Sequence, residues 1–144
     1  MLKKLISEGY GVKEDLSCSE TILYGANKVY HLGLDEKALK LASAFGGGMG
    51  IESVCGAITG ALMVLGRLFV ADVAHKYPKI KELDKEYFER FKNEMGDIIC
   101  KPLKDNYRTD DLKCKIVILK AAEILDEIIA GELKNIPKSD NITS

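Results

Sequence analysis

The chain has 144 residues, 47% of them hydrophobic and 30% charged, with a formal net charge of −1. That is enough for one domain with a real core and too little for a second; a near-neutral mixture of Lys and Glu also lacks the basic face that DNA or RNA requires, so no nucleic-acid partner is expected. Met1–Glu8 has no apolar h-region or small-residue cleavage site, so a reducing, cytoplasmic setting is expected, where four cysteines point to metal or redox chemistry before structural disulfides.

Helical periodicity prevails, and period-two runs rich in Val, Thr and aromatics are absent, which predicts an all-α fold: a single-domain bundle of five or six helices. A short amphipathic helix near Leu2–Glu8 is broken by Gly9-Tyr10-Gly11. Ser17-Cys18-Ser19-Glu20 has the S-x-x-E form of a capping box, so a second helix starts at Cys18, turns Ile22, Leu23, Ala26, Val29 and Tyr30 inward, and stops near His31-Leu32-Gly33. Asp35 can cap a third helix running through Phe45. The glycine loop Gly46-Gly47-Gly48-Met49-Gly50 then leads into a fourth helix from about Val54, with Ser53 as its N-cap.

The apolar run from Val54 to Val73 is long enough to span a membrane. Arg67, Asp72 and many small residues within it fit a buried central helix instead, so membrane association is not expected. Gly56 with Gly60, and Ala57 with Ala61, repeat four apart and form a smooth ridge for close helix packing. His75-Lys76-Tyr77-Pro78 is a connector, and a fifth helix runs from Lys79 to Met95 with Ile80, Leu83, Tyr87, Phe88, Phe91 and Met95 facing the core. Gly96 and Pro102 bracket the next stretch and place Cys100 at or just past the end of that helix. Thr109 or Asp110 caps a sixth helix, with the stripe Leu112, Ile116, Leu119, Ala122, Ile124 and Ile128, ending near Gly131. Residues 1–134 thus form one helical domain; 135–144, polar and containing Pro137, form a tail expected to be mobile.

Cys18, Cys55 and Cys114 fall in or near the first turn of a predicted helix, where free N–H groups stabilise a thiolate by up to about 1 kcal/mol. Cys55, with the glycine loop before it, is expected to have the lowest thiol pKa of the four. Lys101, Lys113 and Lys115 flank Cys100 and Cys114 and favour thiolates there too. No C-x-x-C pair or close Cys/His doublet is present, so no zinc-finger, zinc-ribbon or thioredoxin signature applies. His31 and His75 read as solvent-facing or capping residues. A four-cysteine site has to be assembled by the fold, and at least three of Cys18, Cys55, Cys100 and Cys114 are expected to converge. Against that, an isolated buried cysteine is usually only a small apolar residue.

Cys55-Gly56-Ala57-Ile58-Thr59-Gly60, the glycine loop before it, Cys18 upstream, and Cys100 and Cys114 downstream together resemble the family of redox-active proteins named for a C-GCAxxG-C-C pattern. The resemblance spans essentially the whole chain and implies redox activity without fixing a substrate. A similar domain accompanies haem in an unusual cytochrome, but this chain has no C-x-x-C-H attachment site, so covalent haem is not expected. Three readings stay open. The four cysteines can ligate a metal or iron–sulfur centre for electron transfer or sensing, with N–H groups of Gly46, Gly47, Gly48, Gly50 and Gly56 around the cofactor. Alternatively, Cys55 attacks as the catalytic thiolate of a thiol–disulfide oxidoreductase. Or the chain is a non-catalytic module with structural zinc or buried free cysteines. The sequence identifies no redox partner and leaves both catalysis and homo-oligomer formation open.

Overall fold

Seven α-helices run through residues 1–135, the part of the chain described by this computed structural model: α1 (Leu2–Ser7), α2 (Cys18–Val29), α3 (Glu36–Leu39), α4 (Gly56–Phe69), α5 (Lys79–Met95), α6 (Cys100–Tyr107) and α7 (Lys115–Asn135). The fold is all-α. Among the described residues, the extended backbone pairs only at the isolated bridges Val54 with Ile99 and Thr109 with Lys113.

Several helix boundaries follow from local chemistry. Ser17 caps α2 through a reciprocal box: its side chain accepts from the Glu20 N–H, and its own N–H donates to the Glu20 carboxylate at 3.0 Å. Asp35 caps α3 by accepting the Ala38 N–H at 2.8 Å, and a tighter helical stretch, Lys40–Phe45, continues it. α5 runs from Lys79, after Pro78, to Met95, and Gly96 closes it with φ +87°.

α4 packs against α2, α5 and α7. It buries Ala57, Ile58, Ala61, Val64 and Leu65 completely, and its small-residue ridge meets α2. A Cβ at Gly60 would lie 2.8 Å from the Ser19 carbonyl oxygen and 3.2 Å from the Ile22 Cβ. Gly60→Leu is therefore expected to lower stability by about 1–3 kcal/mol through overpacking. A denaturation midpoint equal to wild type would contradict this close approach.

Four expectations need correction. α4 stops at Phe69 rather than Val73: the chain turns away at Val70, and Asp72 sits in solvent paired with Lys76 at 2.7 Å. Among the described residues, no helix is long and apolar enough to cross a membrane. Secondly, Cys100 does not follow the end of α5 but opens α6, with Pro102 in the first turn, where a missing N–H costs nothing.

Thirdly, α7 begins at Lys115, because Thr109 and Lys113 exchange backbone hydrogen bonds and the Thr109 hydroxyl accepts the Leu112 N–H at 3.0 Å, closing a turn. Leu112 and Ile116, expected inside, are 47% and 41% exposed, and Val117, Ala121, Leu125 and Ile129 are buried on this helix as well. Finally, α7 passes through Gly131 to Asn135, held by buried Glu132, which bonds the Lys79 ammonium at 3.0 Å and accepts the Tyr77 hydroxyl at 3.1 Å. Asn135, placed in the expected polar tail, belongs to α7, and the rest of that tail, 136–144, lies outside the described residues.

Candidate functional site

Each cysteine stands at the start of a helix. Cys18 is the first residue of α2, Cys55 is the N-cap of α4, Cys100 is the first residue of α6, and Cys114 immediately precedes α7 and accepts the Ile118 N–H at its carbonyl. Two of the four are locked together through the backbone. The Cys55 N–H donates to the Ile98 carbonyl at 2.9 Å and the Cys100 N–H to the Ser53 carbonyl at 2.6 Å, on either side of the Val54–Ile99 bridge. Ser53, expected as the N-cap of α4, instead contributes that carbonyl. Asp97 shapes the approach to α6 by accepting the Ile98 and Ile99 N–H groups at 2.7 and 3.0 Å.

The glycine loop threads between these helix starts. It turns through positive φ at Gly47, Gly48 and Gly50, and also at Met49 and Glu52, conformations that glycine tolerates and most residues resist. A Cβ at Gly48 would come within 2.8 Å of the Cys100 Cβ; one at Gly46 would meet the Ser17 Cβ at 2.7 Å; one at Gly56 would overlap the Cys18 sulfur. These three glycines fit the backbone around the cysteines, whereas Gly50 faces open space.

Cys18, Cys55, Cys100 and Cys114 all line one cavity of about 250 Å³, with Gly47 in its wall. All four are free thiols. Among the described residues, no three His, Cys, Asp or Glu side chains are grouped so that they could hold a metal ion. Lys104, Arg108 and Lys113 also border the cavity, and no carboxylate does. Lys104 is tied to Glu52 at 3.3 Å, and an Arg108 guanidinium nitrogen lies 3.8 Å from the Cys114 sulfur.

Of the flanking lysines, Lys113 reaches the cavity and Lys101 does not, pairing with Asp105 at 2.9 Å instead. Lys104 and Arg108 escaped the sequence reading because Cys100 was placed at a helix end. A helix that starts at Cys100 carries Lys104 one turn later, near the same face. His31 and His75 are exposed, and neither lines the cavity.

The electrostatics overturn the expectation for Cys55. It is 5% exposed, and burial, followed by the Cys18 charge, pushes its pKa up to about 12, against the opposing pull of the Ala57 and Ile58 amides. Desolvation outweighs the helix N-terminus here. Burial also raises Cys100; Lys104 pulls it back, while Cys18, Cys114 and Glu52 add to the rise. In the reduced, metal-free protein near neutral pH, iodoacetamide is therefore expected to label Cys55 more slowly than half-buried Cys114. Peptide mapping that finds Cys55 alkylated first would contradict this.

The family model described as "Putative redox-active protein (C_GCAxxG_C_C)" matches residues 16–128, a stretch that contains all four cysteines. No curated protein and no solved structure matches the chain. Aligned on Ala57 and Gly60, the family's name spells Gly-Cys before the alanine where this chain has Cys55-Gly56. The cysteine is thus the N-cap of α4, and glycine takes the first helical position beside the Cys18 sulfur. With the match covering most of its length, the chain belongs to the C_GCAxxG_C_C family.

Proposed function

We propose that the four cysteines hold an iron–sulfur cluster and that the protein serves in electron transfer or redox sensing. The observation that supports this reading is that four thiols, each at a helix start, line one cavity bordered by three cations and no carboxylate. Soft thiolates without carboxylates suit iron–sulfur or zinc and not magnesium or calcium. At about 250 Å³ the cavity has room for a core of several atoms as well as for a single ion.

Ligation requires thiolates, and in the metal-free site burial, with the neighbouring cysteines, raises the thiol pKa of Cys55 and Cys100. The first-turn amides of the helices, with Lys104, Arg108 and Lys113, offset part of the negative charge that four thiolates bring. When bound, such a cluster accepts or releases an electron at a potential set by the hydrogen bonds, charge and solvent exposure around it. Cys55 and Cys100 form the buried side of the site, and half-buried Cys18 and Cys114 form the more open side, which a redox partner approaches.

Anaerobic purification followed by metal and acid-labile sulfide analysis tests the proposal. Iron and sulfide in equal amounts, with visible absorbance that bleaches on reduction, are expected. Zinc without sulfide would overturn it in favour of a structural site. Colourless, metal-free protein with two rapidly titrating thiols would overturn it in favour of thiol–disulfide exchange.

A further inference from the structure

Cys114 lies on the wall between two cavities. The first holds all four thiols; the second, about 410 Å³, opens beside it and shares Leu16, Lys113, Cys114 and Ile118 with it. No other cysteine borders the second cavity. Cys55 and Cys100 are buried and fixed through their backbones, and Cys18, half-buried like Cys114, has its sulfur packed against Gly56. Cys114 is half-buried, on the turn that leads into α7, with Arg108 at 3.8 Å.

The charged group in contact with this thiol is a cation. Lys113 and Lys115 border the second cavity, and Arg108 stands at the sulfur from the first. Among the described residues, none of the three is in an ion pair, whereas Lys104 is held by Glu52. Asp15 and Asp111 also border the second cavity; Arg108 is nevertheless the charged group bonded to the sulfur itself. Tyr10 and Val12 provide apolar wall for the body of a small organic molecule.

We propose that Cys114 is a modification site of the metal-free protein, forming a mixed disulfide with an anionic low-molecular-weight disulfide that enters through the second cavity. The Cys114 thiol gives its proton to solvent, and its sulfur attacks one sulfur of R–S–S–R. A Cys114–S–S–R bond forms, the original S–S bond breaks, and RS⁻ leaves and is protonated by water; the Cys114 sulfur is oxidised and the departing sulfur reduced. Arg108 is a positioning residue, drawing the anionic disulfide to the thiol. The adduct itself needs no metal; only its consequence, a site short of one ligand, rests on the cluster reading.

The test exposes reduced, metal-free protein to oxidised glutathione, an anionic disulfide, or to cystamine, a cationic one, and follows intact mass and peptide maps. One glutathionyl group at Cys114 is expected, formed several-fold faster than the cystamine adduct. Arg108→Gln should slow the glutathione reaction and bring the two rates together, and Arg108→Lys should restore part of the preference. Adducts at Cys18, Cys55 or Cys100 in place of Cys114, or a faster reaction with cystamine, would overturn the proposal. Protein that forms the Cys114 adduct yet contains no iron when purified anaerobically would overturn the cluster reading alone. Iron-containing protein whose metal-free form reacts elsewhere would overturn this proposal alone.

Discussion

Gly56→Ala is expected to lower stability by about 1–3 kcal/mol and to cut the iron content of anaerobically purified protein. The added methyl would overlap the Cys18 sulfur, lie 2.8 Å from the Phe45 carbonyl oxygen, and lie 3.2 Å from the Gly46 Cα. Two of those three neighbours are backbone and cannot swing aside. What can move is the Cys18 side chain, and its rotation takes one sulfur away from the cavity. Local propensity predicts the opposite sign, because alanine in a helix is favoured over glycine by about 0.5–1 kcal/mol. Gly66 supplies the control: it lies in the same helix with nothing within 4 Å of an added Cβ, so Gly66→Ala should stabilise. Urea midpoints of the two variants decide the matter. A Gly56→Ala protein as stable as Gly66→Ala, with full iron, would show that the close approach at Cys18 is not required.

Asp126→Ala is expected to cost about 3 kcal/mol, a large effect for one mostly shielded carboxylate. This side chain, on α7, accepts the backbone N–H groups of Leu2 at 3.0 Å and Lys3 at 2.9 Å, together with the Tyr30 hydroxyl of α2. It is a capping group for α1 delivered from another helix, satisfying donors that α1 has no capping side chain of its own to meet. Burial and the bond to Asp126 drive the Tyr30 phenol well above its ordinary range, so removing the carboxylate leaves that hydroxyl without its partner. Leu2, fully buried, loses its anchor in the same step. Asp126→Asn keeps an acceptor oxygen and should fall between wild type and alanine. A shift for Asp126→Ala of less than about 0.5 kcal/mol, the scale of ordinary surface substitutions, would contradict this account.

Much of the helical frame was legible because its boundaries are chemical and local. Ser17 with Glu20, Asp35, and Pro78 with Gly96 each mark an end that needs no tertiary information. The small-residue ridge of α4 also announced close packing, and Gly60 meets α2 as that spacing requires. The misreadings occurred where one residue type supports two structures. Pro102 can stop a helix or sit in its first turn, and reading it as a stop hid α6, Lys104 and Arg108 together. Thr109 and Asp110 look like caps, yet Thr109 closes a turn and delays α7 by several residues, which moves Leu112 to the surface.

Cys55 marks a different limit. Its helix-start position was readable, but its pKa depends on how much protein the fold stacks over it, and desolvation by distant segments has no signature in a sequence window. Asp126 was invisible for the same reason: a carboxylate on one helix that caps another, more than a hundred residues away in sequence, looks like any other surface acid.

The most direct measurement is a crystal structure of the anaerobically purified protein with diffraction recorded on both sides of the iron absorption edge. An anomalous iron peak inside the cavity bounded by Cys18, Cys55, Cys100 and Cys114, with density continuous to the four sulfurs, is the predicted result. A cavity without iron density, its cysteines present as free thiols or joined in disulfides, would contradict it.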